Sequence, residues 1–123
     1  MTNLEEYPMS INEMIAEINE FTKERDWEKF HIPKNLAASI SIESAELMEC
    51  FQWDSPTAAE IIEDEGRIDS VRAELADVMI YSFRLCSTLS LDPLEIMSEK
   101  LEENRARYPV ESSRGSSKKY DSL

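Results

Sequence analysis

The sequence predicts an all-α domain, four-helix-bundle-like, on three observations. Only two glycines occur in 123 residues. The prolines, at positions 8, 33, 56, 93 and 109, stay out of the interiors of the strongly periodic stretches. Apolar residues recur at i, i+3 and i+4 through several long segments. So few glycines leave little means of making the tight turns of a sheet, and helices dispense with them.

The first ten residues read as an irregular lead-in. Ser10 and Glu13 then have the spacing of a capping box and open a helix to about Asp26, with Ile11, Met14, Ile15, Ile18 and Phe21 on its apolar face. Trp27 to Pro33 is a connector, because Pro33 disfavours helix at Ile32 but suits the first turn of a new helix. This second helix runs from about Lys34 to Trp53, and Asp54, Ser55 and Pro56 break it. A short acidic helix from about Thr57 to Asp64 leads to Gly66, read as a helix end. The third long helix spans about Ile68 to Leu89. Asp92, Pro93 and Glu95 start a fourth, which reaches about Tyr108.

Residues 1–109 therefore read as one domain, and 110–123 as a flexible tail rich in serine and basic residues. Its Arg114-Gly115-Ser116-Ser117-Lys118-Lys119 run is open to two readings, a solvated tail or a segment that closes over phosphates.

The net charge of −13 argues against nucleic-acid binding, which needs a basic stripe. Cys50 and Cys86 show no metal or redox spacing and read as reduced packing residues. No apolar run approaches membrane-spanning length and no signal pattern opens the chain, so the expected compartment is the cytoplasm.

Two pairs of acids then stand out. Glu43 and Glu46 share the second helix, Glu74 and Asp77 the third, each pair three residues apart and so on one helix face. Spacing alone is weak evidence: with 26 acidic residues among 123, chance supplies roughly five such pairs. Direction is the stronger test. At ~100° per residue, Glu43 falls in or beside the stripe of Leu36, Ile40, Leu47 and Phe51, with Glu46 on its shoulder. Glu74 and Asp77 fall on the shoulder of Val71, Leu75, Val78, Leu85 and Leu89. Carboxylates turned into an apolar interface repel one another unless a cation neutralises them or some take up protons. Such an oxygen cluster suits Mg²⁺, with Mn²⁺ as the alternative ion.

Lys100, Asn104 and Tyr108 follow at i,i+4 steps and align a cation, an amide and a phenol, a row able to meet a phosphate, a sugar and a base or simply to face water. His31, the only histidine, precedes the second helix, and Trp53 ends it, free to stack on a base or to close a core.

Taken in order, His31-Ile32-Pro33-Lys34-Asn35-Leu36, Glu43-Ser44-Ala45-Glu46-Leu47, Phe51-Gln52-Trp53, Glu74-Leu75-Ala76-Asp77-Val78 and Lys100 through Tyr108-Pro109 resemble the all-α nucleotide pyrophosphatases of the MazG type, most of all the dCTP-pyrophosphatase branch, over residues 20–109. Ile42 stands where the family's first motif commonly has an additional glutamate. The resemblance implies that Glu43, Glu46, Glu74 and Asp77 hold Mg²⁺ and that water attacks the α-phosphorus of a nucleoside triphosphate, releasing the monophosphate and pyrophosphate. It also implies that Lys100 adds a fixed charge, that His31 and Trp53 contact the nucleoside, and that Asn104 and Tyr108 position sugar or phosphate. Glu49, three residues beyond Glu46, is a further candidate for orienting the water. The implied substrate is dCTP or a related or modified pyrimidine nucleotide, in a pool-cleansing role.

A chain this small has little scaffold to enclose a metal cluster and a nucleotide, and family members resemble dimers or dimers of dimers. A homo-oligomer, as a tetramer, is therefore expected, with sites near subunit interfaces. Two other readings compete. A di-iron or di-manganese carboxylate bundle expects Glu-x-x-His pairs that a single pre-helix histidine does not supply. A non-catalytic acidic helical adaptor explains the charge and the helices but leaves the Lys100, Asn104 and Tyr108 row unexplained.

Overall fold

The computed structural model describes residues 9–123. It is all-α, as expected, with no strand among the described residues. The helices are α1 (Ile11–Glu24), α2 (Pro33–Glu49), α3 (Ala58–Glu63), α4 (Glu65–Thr88), α5 (Pro93–Arg107) and α6 (Val110–Ser113), with 3-10 turns at Glu28–Phe30 and Tyr120–Ser122. The lead-in expected over residues 1–10 lies outside the described residues except for Met9 and Ser10. The chain divides into two packed units, one ending at Ser90 and one covering Leu91–Leu123.

In the first unit α4 is the central element, with α2 packed along it most extensively and α1 and α3 also against it. Ser10 caps α1 by accepting from the Glu13 N–H at 3.1 Å. α1 ends in a Schellman turn. Asp26 takes a left-handed φ of 55°, the Trp27 N–H donates to the Thr22 carbonyl at 3.1 Å and the Asp26 N–H to the Lys23 carbonyl at 3.0 Å. Aspartate is among the few non-glycine residues that adopt this region readily, and the reversal carries Trp27 and His31 back beside α1.

Two expected boundaries move. α2 stops at Glu49 rather than Trp53, because Cys50, Phe51 and Gln52 bond three residues back instead of four. Arg67 then caps the exposed end, its Nη2 donating to the Cys50 carbonyl at 2.9 Å while the guanidinium pairs with Asp54. Gly66 does not end a helix. Asp64, at φ −97° and ψ 99°, closes α3 and opens α4, its carboxylate accepting from the Arg67 N–H at 3.1 Å. Gly66 simply occupies the first turn of α4.

The expected stripe on α2 holds, with Leu36 fully buried and Ile40, Leu47 and Phe51 half-buried. The stripe on α4 is rotated from expectation. Leu75 and Leu89 are exposed, while Glu74, Asp77, Tyr81 and Arg84 turn inward with Val71, Val78 and Leu85. Among the described residues only Ile18 and Leu36 are buried large apolar side chains. Ile42, Met48, Leu75 and Met79 face outward on α2 and α4.

In the second unit Asp92 caps α5, Oδ1 accepting from the N–H groups of Leu94 and Glu95 at 2.9 and 3.2 Å, with Pro93 at the first helical position. Beyond α5 the residues read as tail form a helical turn. Tyr120 packs edge-on against Tyr108 at a centroid separation of 6.2 Å and lies under the Arg107 guanidinium.

Candidate metal and nucleotide site

The packing of α2 on α4 gathers three of the four predicted acids. One carboxylate oxygen from each of Glu43, Glu46 and Glu74 lies within 4.8 Å of the others. Glu43 Oε2 and Glu74 Oε2 are buried and receive no hydrogen bond. None of the four acids forms an ion pair among the described residues. Buried acceptors without donors are rare in folded proteins and call for a missing partner. An all-oxygen donor set with excess negative charge fits a hard divalent cation such as Mg²⁺, so the residues present suit the metal that the sequence implied.

The electrostatics agree with the geometry. The Glu43 carboxyl is pushed up to about 7, first by its carboxyl–carboxyl contact with Glu46, then by burial and by the charges of Glu46, Asp77 and Glu74. Glu74 is raised as well, chiefly by burial and then by Glu46. Without a cation the cluster relieves its repulsion by keeping protons.

This sets a sign for stability. Between the ordinary glutamate value of 4.5 and about 7, the folded metal-free protein holds protons that the unfolded chain has released, so stability falls as pH rises through that window. His31, lowered by burial and by Arg84, acts oppositely: the unfolded chain takes up its proton first as pH falls through 6.5. Thermal melts in chelator at about pH 5 and about pH 7.5, with Glu43→Gln as reference, isolate the glutamate contribution. We expect the wild type to lose more of its melting temperature on going to the higher pH than the variant does, and added Mg²⁺ to restore it most at the higher pH. Parallel pH curves for the two proteins would contradict this.

Asp77 stands beside the three glutamates and borders a cavity of about 410 Å³, lined also by Glu17, Ile18, Phe21, Thr22, Trp27, His31, Ile80, Tyr81 and Arg84. His31 is thus on the cavity wall. Its Nδ1 accepts from Arg84 Nε at 3.1 Å, and Tyr81 meets the ring edge-on at 6.4 Å. Trp53 is elsewhere, 88% exposed after the end of α2. Glu49 also points away: it lines a separate surface depression with Ala45, Met48 and Gln52. Each three-residue step precesses by about 60°, so a third acid in that series leaves the face that Glu43 occupies. In the second unit, Lys100 is exposed and pairs with Glu103 at 3.3 Å, while Asn104 on α5 and Tyr108 just beyond its end are half-buried.

Sequence reasoning missed Trp27, Tyr81 and Arg84. Tyr81 and Arg84 continue the Glu74 and Asp77 series at helical steps, and an arginine on the inward face of a helix was the available signal. Trp27 had none, since its position depends on the left-handed Asp26.

With three glutamates converging between two helices beside an aromatic cavity, the class of protein is defined: the chain belongs to the MazG-like family, whose profile matches residues 38–123. It is similar to dCTP pyrophosphatase 1 of Mus musculus, at 42% identity over 106 residues, 85% of this chain and 62% of the relative. Similarity to dCTP pyrophosphatase 1 of Homo sapiens is 41% over 107 residues, with the same shares. The chain thus spans 62% of the length of these curated relatives. The crystal structure of a pyrophosphatase from Archaeoglobus fulgidus DSM 4304 superposes with a TM-score of 0.73 at 43% identity, covering 80% of this chain and 92% of that one.

Proposed function

We propose that this chain is a Mg²⁺-dependent nucleoside triphosphate pyrophosphohydrolase that cleaves a (d)NTP, dCTP or a related or modified pyrimidine nucleotide, to the monophosphate and pyrophosphate. The observation that carries the reading is the pair of donorless, buried carboxylate oxygens on Glu43 and Glu74, set with Glu46 next to an aromatic-walled cavity. The named activity of the similar proteins supports the same reading.

Glu43, Glu46 and Glu74, with Asp77, would hold the metal. When bound, Mg²⁺ acts as a Lewis acid on phosphate oxygens and offsets repulsion between an acidic protein and a polyanion. Phe21, Trp27 and Tyr81 offer ring faces and edges to a base. His31, neutral and protonated on Nε2 because Nδ1 accepts from Arg84, can donate a hydrogen bond. A carboxylate of the cluster accepts a proton from the attacking water. Lys100 contributes positive charge to the phosphates, and Asn104 and Tyr108 position sugar or phosphate. The site works in the cytoplasm. No helix among the described residues is long and apolar enough to cross a membrane.

Assembly belongs to the same reading. Among the described residues only Ile18 and Leu36 are buried large apolar side chains, so the chain's own core is small. The outward Ile42, Met48, Leu75 and Met79 supply what a second copy would cover. We expect a homo-oligomer, a dimer of dimers, in which Trp53 reaches a neighbouring subunit's nucleoside.

The test is a nucleotide panel with and without Mg²⁺, read as pyrophosphate release. Metal-dependent release, greatest for dCTP or a modified dCTP, is expected. An adaptor would neither bind the metal nor release pyrophosphate.

A further inference from the structure

Arg84 is a buried guanidinium, 8% exposed, with no carboxylate partner among the described residues. Such a group is ordinarily paired. Two of its donors are engaged by neutral acceptors, Nε by His31 Nδ1 at 3.1 Å and Nη1 by Asn19 Oδ1 at 2.7 Å. Asn19 is itself held, its Nδ2 donating to Ser87 Oγ at 3.2 Å. Those contacts come from α1 and the connector and fix the guanidinium in the wall of the 410 Å³ cavity. Nη2 forms no hydrogen bond with the described residues. Arginine offers only donors, so whatever completes it in the cavity must bring acceptors.

We propose that Arg84 is the specificity-determining residue of the nucleoside pocket and selects a base that presents two adjacent hydrogen-bond acceptors, which among the pyrimidines is cytosine through N3 and O2. The proposal rests on the reading of this site as a nucleotide hydrolase. Thymine and uracil carry an N3–H between their carbonyls, so the same approach sets donor against donor and leaves buried groups unpaired. The flanking walls, Phe21, Trp27, Ile80 and Tyr81, suit a flat ring. Guanine shares the motif through N7 and O6, so the acceptor pair, rather than ring size, is what Arg84 reads.

The experiment compares kcat/KM of the wild-type enzyme with Mg²⁺ on dCTP, dTTP, dUTP, dGTP and 3-deaza-dCTP, which keeps O2 but replaces the N3 acceptor with C–H. A bidentate pair of this kind discriminates by roughly tenfold to a hundredfold. We expect dCTP to exceed dTTP and dUTP by that factor and 3-deaza-dCTP to fall towards them. In Arg84→Met the preference for dCTP over dTTP should collapse to within about threefold. Good turnover of dGTP would support the acceptor-pair rule and show that the cavity admits purines.

Equal use of dCTP and dTTP by the wild type, or of dCTP and 3-deaza-dCTP, overturns the assignment. So does a uniform loss across all nucleotides in Arg84→Met, the result expected if Arg84 contacts phosphate or merely holds His31. Should Arg84→Met fail to fold, the wild-type analogue series decides alone. Release of pyrophosphate from no nucleotide would defeat the hydrolase reading itself, whereas base indifference in an active enzyme defeats only the role given to Arg84.

Discussion

Glu43→Gln is expected to abolish turnover and at the same time to raise the melting temperature of the metal-free protein at neutral pH. The two effects share one cause. Glu43 holds a buried oxygen with no donor and a carboxyl pushed up to about 7 by Glu46, burial and the neighbouring acids. The amide is nearly the same size, carries no charge and can donate to Glu46. Loss of groups that only support metal ligands costs 10–100-fold, so loss of a ligand should exceed about a hundredfold in kcat/KM. Asp77→Asn should also abolish turnover while leaving helicity intact. Pyrophosphate-release assays beside thermal melts in chelator check both, and retained activity in the two variants together would refute the carboxylate assignment.

Met79→Glu is expected to break the assembly and with it the fold. Met79 and Leu75 are exposed on α4, and Ile42 on α2 is exposed as well. A charge in an apolar interface core is strongly disfavoured, and among the described residues only Ile18 and Leu36 are buried large apolar side chains. Light scattering should show a smaller species, and the melting temperature should become low and concentration-dependent. A wild-type chain that runs as a monomer at working concentration, or a Met79→Glu protein of unchanged size and stability, would contradict this.

Much of the fold and the acid cluster is legible from residue spacing because helix periodicity converts sequence directly into direction. Glu43, Glu46 and Glu74 can be placed on facing surfaces without any knowledge of turns, and Ser10 and Asp92 mark helix starts through chemistry local to a few residues. The failures share a different character. Gly66 misleads because glycine signals a helix end only when the backbone goes left-handed, and here the backbone of Asp64 does the breaking. The α4 stripe is misaligned because a moment that counts leucines assumes they face the chain's own core. Leu75 faces outward, and Arg84 takes the inward place through His31 and Asn19, partners more than fifty residues away in sequence. The Trp27 wall depends on a single left-handed residue, which no periodicity records.

Asp64 gives α3 and α4 a common joint with no linker between them. One inserted residue there would turn α3 by about 100° about its own axis relative to α4, and a deletion would remove the residue that ends one helix and begins the other. Between α2 and α4, changes of chain length are better absorbed at Ser55 and Pro56, after Asp54, which holds Arg67, and before the cap of α3. The register of the α4 carboxylates with α2 is set by the packing of the two helices and by Arg67 on Cys50 and Asp54.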